Sequence, residues 1–297
     1  MIDRASILAD QRILAQLRAD YIPVAIDQAN QRRQKDTEGD FYRKIASQGP
    51  RNDFKNGTTQ GFYLASPDGT LLAYTNHRGP DRMLRTLRSA RAVEGAEPVK
   101  RERTDKRYAF TAPDGAAVVR VNGKVLGGYD EARGKYEAIM HSAISRDNLW
   151  ITAAEQMALS QGSVPKSLQS RLLRYHLVDN TRGEPPMWRS GEVRSADLQL
   201  KDGLLTGRVR FATKSGDRTF DALLRGHLEF KGAKLTRFDL VASGTFKGEG
   251  RYTRNAPKKP FPYAVTFRLA DMKDVADGVA PQAARGWLDG YLHPERN

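Results

Sequence analysis

The densest run of chemistry-capable side chains in the sequence is Arg174-Tyr-His-Leu-Val-Asp-Asn-Thr-Arg-Gly-Glu-Pro-Pro-Met-Trp188. It places His176, Asp179, Arg182 and Glu184 in one short segment that leaves a helix-like run and enters a strand-like one. Loops on rigid scaffolds are where sites tend to be built. An imidazole with a carboxylate three residues later can share a proton or hold a divalent metal, and a guanidinium can grip an anionic group. The same segment carries turn chemistry in Asp179-Asn-Thr-Arg-Gly183 and a stiff exit at Pro185-Pro186, so capping and packing compete with catalysis there. Its spacing matches no strong metal or triad motif, and no metal ligand set is assigned.

A second candidate is Gly244-Thr-Phe-Lys-Gly-Glu-Gly-Arg-Tyr-Thr-Arg-Asn-Ala-Pro-Lys-Lys-Pro260. Glycines at 244, 248 and 250 would let backbone N–H groups approach a ligand, with Arg251, Arg254, Lys258 and Lys259 supplying charge for a phosphate or carboxylate. A nucleotide loop would run from strand to helix, and this stretch lacks that context; a bulged turn followed by a solvated basic loop is its plainer reading. The two stretches define two functional readings. In the first, the chain is a non-redox binding or accessory protein whose ligand surface is the sheet mouth where the loops meet, with Arg182, Arg251, Tyr252 and Arg254 as ligand-binding residues. In the second, it is an enzyme with His176 and Asp179 or Glu184 as base or metal ligands, Glu249 assisting, and Arg182 and Arg251 binding an anionic substrate. The enzyme reading requires His176, Asp179, Glu184 and Glu249 to converge.

Other candidates are weaker. Arg82, Arg85, Arg88 and Arg91 recur every third residue, which drifts around a helix and suits a solvated face. His77, His141, His227 and His293 have no evident partners in sequence. Trp150, Trp188, Trp287 and Tyr291 read as core or sheet-packing aromatics.

These side chains must be positioned by two kinds of element. Up to about residue 92, apolar spacing predicts a helix over Ile7–Leu17, a buried strand over Tyr21–Ile26, a short helix around Phe41–Ile45, a hairpin through Ser66-Pro-Asp-Gly69, and a helix opening at Gly79-Pro80. Residues 93–106 are charged and aperiodic, which fits a linker. Beyond them, Pro113-Asp-Gly115 and Asn122-Gly123 signal turns of a β-meander, and helical spacing returns between about 130 and 177. From Trp188 to Leu269 the period becomes two, broken at Lys201-Asp-Gly203, Lys214-Ser-Gly-Asp217 and Lys231-Gly-Ala233. That is an antiparallel sheet with one buried face, a curved sheet or partial barrel. The fold class is α+β: a module over 1–92, a linker, and a β-rich domain with helical insertions over 107–297.

The first module resembles the thioredoxin-like superfamily. ADQRILAQLRADYIPVAIDQ is similar to that family's first helix and following strand, TTQGFYLASPDGTLLAYT to its third and fourth strands, and Pro80–Ala90 to its closing helix. The resemblance covers about the first third of the chain. The family's first strand and its Cys-x-x-Cys motif have no counterpart, and Gln60 stands where the family has a cis-proline. What the resemblance implies is a scaffold without dithiol chemistry, kept for binding or packing.

Composition bounds the rest. At 297 residues the chain exceeds the usual size of one core, and two domains are expected. Lys and Arg number 49 against 35 Asp and Glu, a net charge of +14, which favours an anionic small molecule or an acidic protein partner. Nucleic acid is a weaker expectation, because the basic residues are scattered among acids rather than gathered on one element. With no cysteine, disulfides, thiolate ligands and thiol nucleophiles are excluded. No apolar run reaches the length of a membrane span, of about 20 residues. As written the chain is expected to be soluble and cytoplasmic, or extracytoplasmic if a signal segment was lost upstream of Met1. No cofactor is indicated.

Overall fold

The computed structural model describes residues 7–108 and 110–294. The chain divides into two units, residues 2–109 and residues 110–297.

In the first unit, α1 (Gln11–Asp20) starts at Asp10, whose carboxylate accepts from the Arg12 N–H as an N-cap should. After α2 (Gln28–Gln31) and α3 (Thr37–Ser47), a hairpin forms from β1 (Phe62–Ala65) and β2 (Leu71–Thr75), and α4 (Pro80–Ser89) follows with proline in its first turn. The turn between the strands is built by Asp68, which accepts from the Thr70 N–H at 3.1 Å, and by Gly69 at φ 88°, a conformation that favours glycine. The core joins Ile7 and Ile13 to Leu64 of the hairpin and to Met83, Leu84 and Leu87 of α4. Residues 93–106, expected as a linker, lie within this unit and return over the start of α3. Glu102 and Arg103 both donate from backbone N–H to Thr37 Oγ1, and Asp105 donates to the Asp36 carboxylate.

The second unit is one seven-stranded antiparallel sheet in the order β4-β3-β9-β8-β7-β6-β5. Its strands are β3 (Ala117–Val125), β4 (Asp147–Ile151), β5 (Val193–Lys201), β6 (Leu204–Ala212), β7 (Thr219–Lys231), β8 (Lys234–Lys247) and β9 (Phe261–Leu269). The three turns expected between β5 and β8 close hairpins, with Gly203, Gly216 and Gly232 all at positive φ. Strand alternation sends Phe211, Phe220, Phe238, Phe246, Phe261, Tyr263 and Phe267 to one buried face. Helices α5 (Lys135–Ser142), α6 (Ala153–Ser160) and α7 (Lys166–Arg171) fall among the inserted residues, α7 continuing through a π-type turn over Leu172–His176. Leu159, Leu168, Leu172 and Leu173 join the aromatic face in one core. A smaller cluster seats α8 (Leu288–Leu292) and its approach on Val118 and Trp150. The architecture is mixed α and β with antiparallel sheets, and the large sheet is open, ending at β4 and β5 rather than closing into a barrel.

Four expectations are corrected. Tyr21–Ile26 is not a buried strand: it has no regular secondary structure and pairs with no strand, with Ile22 91% and Val24 73% exposed. Pro23 denies it one ladder donor, and only Tyr21 packs on the core, donating its hydroxyl to the Leu87 carbonyl. Asn122-Gly123 is not a turn but the middle of β3. Gly123 is required there because a Cβ would stand 2.1 Å from the Tyr263 hydroxyl. Trp287 is 56% exposed, unlike Trp150, Trp188 and Tyr291, which are core residues as expected. The glycines of the 244–250 stretch do not form an open anion cradle. Gly244 lies in β8 against the Asp221 carbonyl, Gly248 against that of Asp217, and Gly250 against Pro186, so the chain itself fills the space a ligand would need.

Candidate functional site

The two loops singled out from sequence do meet. Arg182, buried at 6% exposure, is the clamp: its Nε donates to the Thr253 carbonyl at 3.1 Å and its Nη1 to the Tyr129 hydroxyl at 2.7 Å, while its Nη2 pairs with Asp179. Asp179 in turn accepts from the N–H and hydroxyl of Thr181, at 3.1 and 2.7 Å. The backbones approach so closely that a Cβ on Gly183 would lie 2.1 Å from the Tyr252 carbonyl. Burial is the largest single influence and would lower the Arg182 pKa, but the charges and hydrogen bonds of Asp179 and Tyr129 together outweigh it, so the guanidinium is held above its usual range. A fully satisfied buried pair of this kind is a fastener, and neither partner is left to grip a ligand.

The imidazole of His176 faces elsewhere. It is 3% exposed, with Nε2 3.1 Å from the Tyr291 hydroxyl and Nδ1 3.3 Å from Asp147 Oδ2, a contact close in distance but too poorly directed to count as a hydrogen bond. Asp147 also accepts from the N–H groups of Asn148 and Gln282. Burial pushes the Asp147 carboxyl up, but His176 and those amides outweigh it and hold it below the ordinary range. The network continues from Tyr291 to Arg171, 5.2 Å over its ring, which pairs with Glu155 and donates to the Trp150 carbonyl. Asp147 and Tyr291 are the partners that sequence reasoning missed. One signal was available: Asp147 opens a strand, DNLWI, in which all five residues are buried, and an acid in such a run demands a partner.

The four groups of the enzyme reading therefore do not converge. Glu184 is exposed, Glu249 accepts from the Ala256 N–H at 3.0 Å, and among the described residues no hydrogen bond or ion pair joins any two of His176, Asp179, Glu184 and Glu249. Nor do the described residues contain three His, Asp or Glu side chains grouped to hold a metal.

Arg251, Tyr252 and Arg254 behave differently. All three are exposed, with the Arg251 guanidinium 5.3 Å from the Tyr252 ring, while Thr253 between them is buried and fixed by Arg182. Beside this rim, Pro186, Met187, Arg189, Glu192, Arg218 and Glu249 help line a cleft of about 200 Å³. Arg218 of this lining lies 3.9 Å over the ring of Trp188, a buried residue that donates Nε1–H to the Leu177 carbonyl and stacks on Phe211. Lys258 leaves the rim to pair with Asp130 at 3.1 Å. Comparison of the chain with protein-family models, curated proteins and solved structures gives no match.

Proposed function

We propose that the chain is a non-redox binding or accessory protein whose β-rich unit captures an anionic group at the rim formed by Arg251, Tyr252 and Arg254. The observation that carries this reading is the Arg182 clamp. A buried guanidinium donates to the Thr253 carbonyl and so fixes the backbone of the Gly250–Arg254 loop, which presents two exposed cations and an aromatic ring with less backbone left to order on binding. Exposed arginines beside a rigid aromatic suit a carboxylate or phosphate attached to a small molecule or a protein side chain.

The amino-terminal unit is, on this reading, a thioredoxin-like scaffold used for binding or packing. Support comes from the order α1, α3, β1–β2 hairpin and α4 together with the absence of cysteine; the unpaired Tyr21–Ile26 segment is where the unit departs from that family's sheet.

An NMR titration of the full chain with citrate and with inorganic phosphate tests the rim. Saturable shifts of the Arg251–Arg254 amides, lost in an Arg251→Gln/Arg254→Gln variant, are expected. Shifts scattered over the surface, or identical in the variant, would remove the proposal.

A further inference from the structure

The outward face of the seven-stranded sheet offers a second, separate site. Most arginines on it are already neutralised: Arg208 and Arg210 share Asp221 at 3.2 and 3.4 Å, and Arg237 sits between Glu229 and Asp239 at 2.9 and 2.7 Å. The side chains of Arg225 in β7 and Arg268 in β9 make no ion pair or hydrogen bond with any described residue. A groove of about 450 Å³ runs over β8, β9 and β3, lined by Arg120, Asn122, Asp239, Val241, Thr266 and Arg268.

The end of that groove shows which chemistry the face accepts. Arg120, directly across from Arg268 in register, is paired to Asp277 at 2.6 Å and to Asp271, both on the segment that follows β9. Asn148, next in the same row, donates Nδ2 to the Ala276 and Val279 carbonyls at 2.7 and 2.8 Å. The face thus already holds one irregular, carboxylate-bearing stretch of polypeptide through an arginine and a side-chain amide. Arg268, opposite Asp239, continues this track across the sheet, and Arg225 lies two strands further on and two residue pairs along, opposite Val241. From ordinary strand spacing the two lie roughly 12 Å apart, the rise of about four residues of extended chain. Exposed Val241 and Leu223 supply apolar contact beside them, at 44% and 61% exposure.

We propose that this groove, with the adjoining exposed strip of β7, docks an acidic, extended polypeptide segment of a partner protein, with carboxylates about four residues apart on Arg268 in the groove and Arg225 beside it, and aliphatic side chains on Val241 and Leu223. A nucleic acid fits less well. The strand aromatics that would stack on bases belong to the buried core, and Asp221, Glu229 and Asp239 interrupt the positive charge.

The test titrates the full chain with a short synthetic peptide carrying glutamates four residues apart with valine and alanine between. A glutamine-for-glutamate peptide, citrate and a single-stranded oligonucleotide serve as comparisons. Expected are saturable shifts along β8, β9 and β3 for the glutamate peptide, weakened about tenfold by Arg268→Gln and again by Arg225→Gln, at unchanged melting temperature because both side chains are surface groups. The proposal is overturned if the glutamate peptide does not saturate, if the glutamine peptide binds equally, if the oligonucleotide binds the same amides more tightly, or if both variants bind as the parent does. Citrate at the Arg251–Arg254 rim without peptide binding on the sheet would sink this inference and leave the rim reading standing.

Discussion

Arg182 concentrates the physical argument at the scale of single residues. Sequence placed it among ligand-binding groups, because a guanidinium in a loop beside a histidine and two acids reads as an anion grip. In the folded chain its side chain is almost fully enclosed and its charge answers Asp179. Removing one member of a buried pair strands the other, so Asp179→Ala and Arg182→Met are each expected to destabilise the β-rich unit by about 3–5 kcal/mol. Urea unfolding checks this, and a cost below about 1 kcal/mol would show that the clamp is not structural. The double replacement should cost less than the sum, since neither charge is then left alone. His176 teaches the same lesson. Its neighbours in sequence suggested acid/base work with Asp179, whereas its neighbours in space are Asp147 from β4 and Tyr291 from α8.

At the scale of elements, the segment between β9 and α8 is pinned by charge at Asp277, beside the apolar cluster that seats its later residues. Asp277 has no exposed surface, and Arg120 and Arg146 both pair with it. The Arg120 hydrogen bond, aided by Arg146 and only partly opposed by burial, depresses its carboxyl from 3.8 to about 2. The sign follows from linkage. A depressed carboxyl contributes stability that is complete above the unfolded value of 3.8 and is lost as the pH falls through about 2. Protection of the Asp277 and Val279 amides from hydrogen exchange, taken relative to the intrinsic rate at each pH, should therefore fall in acid over that window, and Asp277→Asn should show low protection already at neutral pH. Unchanged exchange in the variant would mean that the segment is held by Asn148 and apolar packing instead. The hairpins β5–β6, β6–β7 and β7–β8 were legible from sequence because each turn needs glycine at positive φ, a local steric demand written in the residue itself. Asn122-Gly123 misled for the converse reason: its glycine answers the Tyr263 hydroxyl of β9, a neighbour 140 residues away by number (263 against 123), and no local rule contains that contact.

For the whole molecule, the cores themselves are separate. Ile7, Ile13, Leu64, Met83, Leu84 and Leu87 form one cluster, and the clusters of the second unit draw only on residues from Phe110 onward. Residues 110–297 expressed alone are therefore expected to fold, with a cooperative melt and the far-ultraviolet signature of an antiparallel sheet. A molten or insoluble fragment would show that the units depend on each other. What the sequence determined unaided was the material of the fold: the absence of thiol and disulfide chemistry, the change of apolar period from helical to alternating near Trp188, and the glycine turns that make a meander. These are properties of single residues and of short spacings, and they survive any tertiary arrangement. Only the tertiary structure decided which polar groups would be enclosed together, because burial and pairing depend on strands and loops far apart in the chain. That is why His176, Asp179 and Arg182 became parts of the framework, while Arg225 and Arg268, which look like ordinary surface positions in an alternating strand, came to stand beside a groove with their charges unanswered.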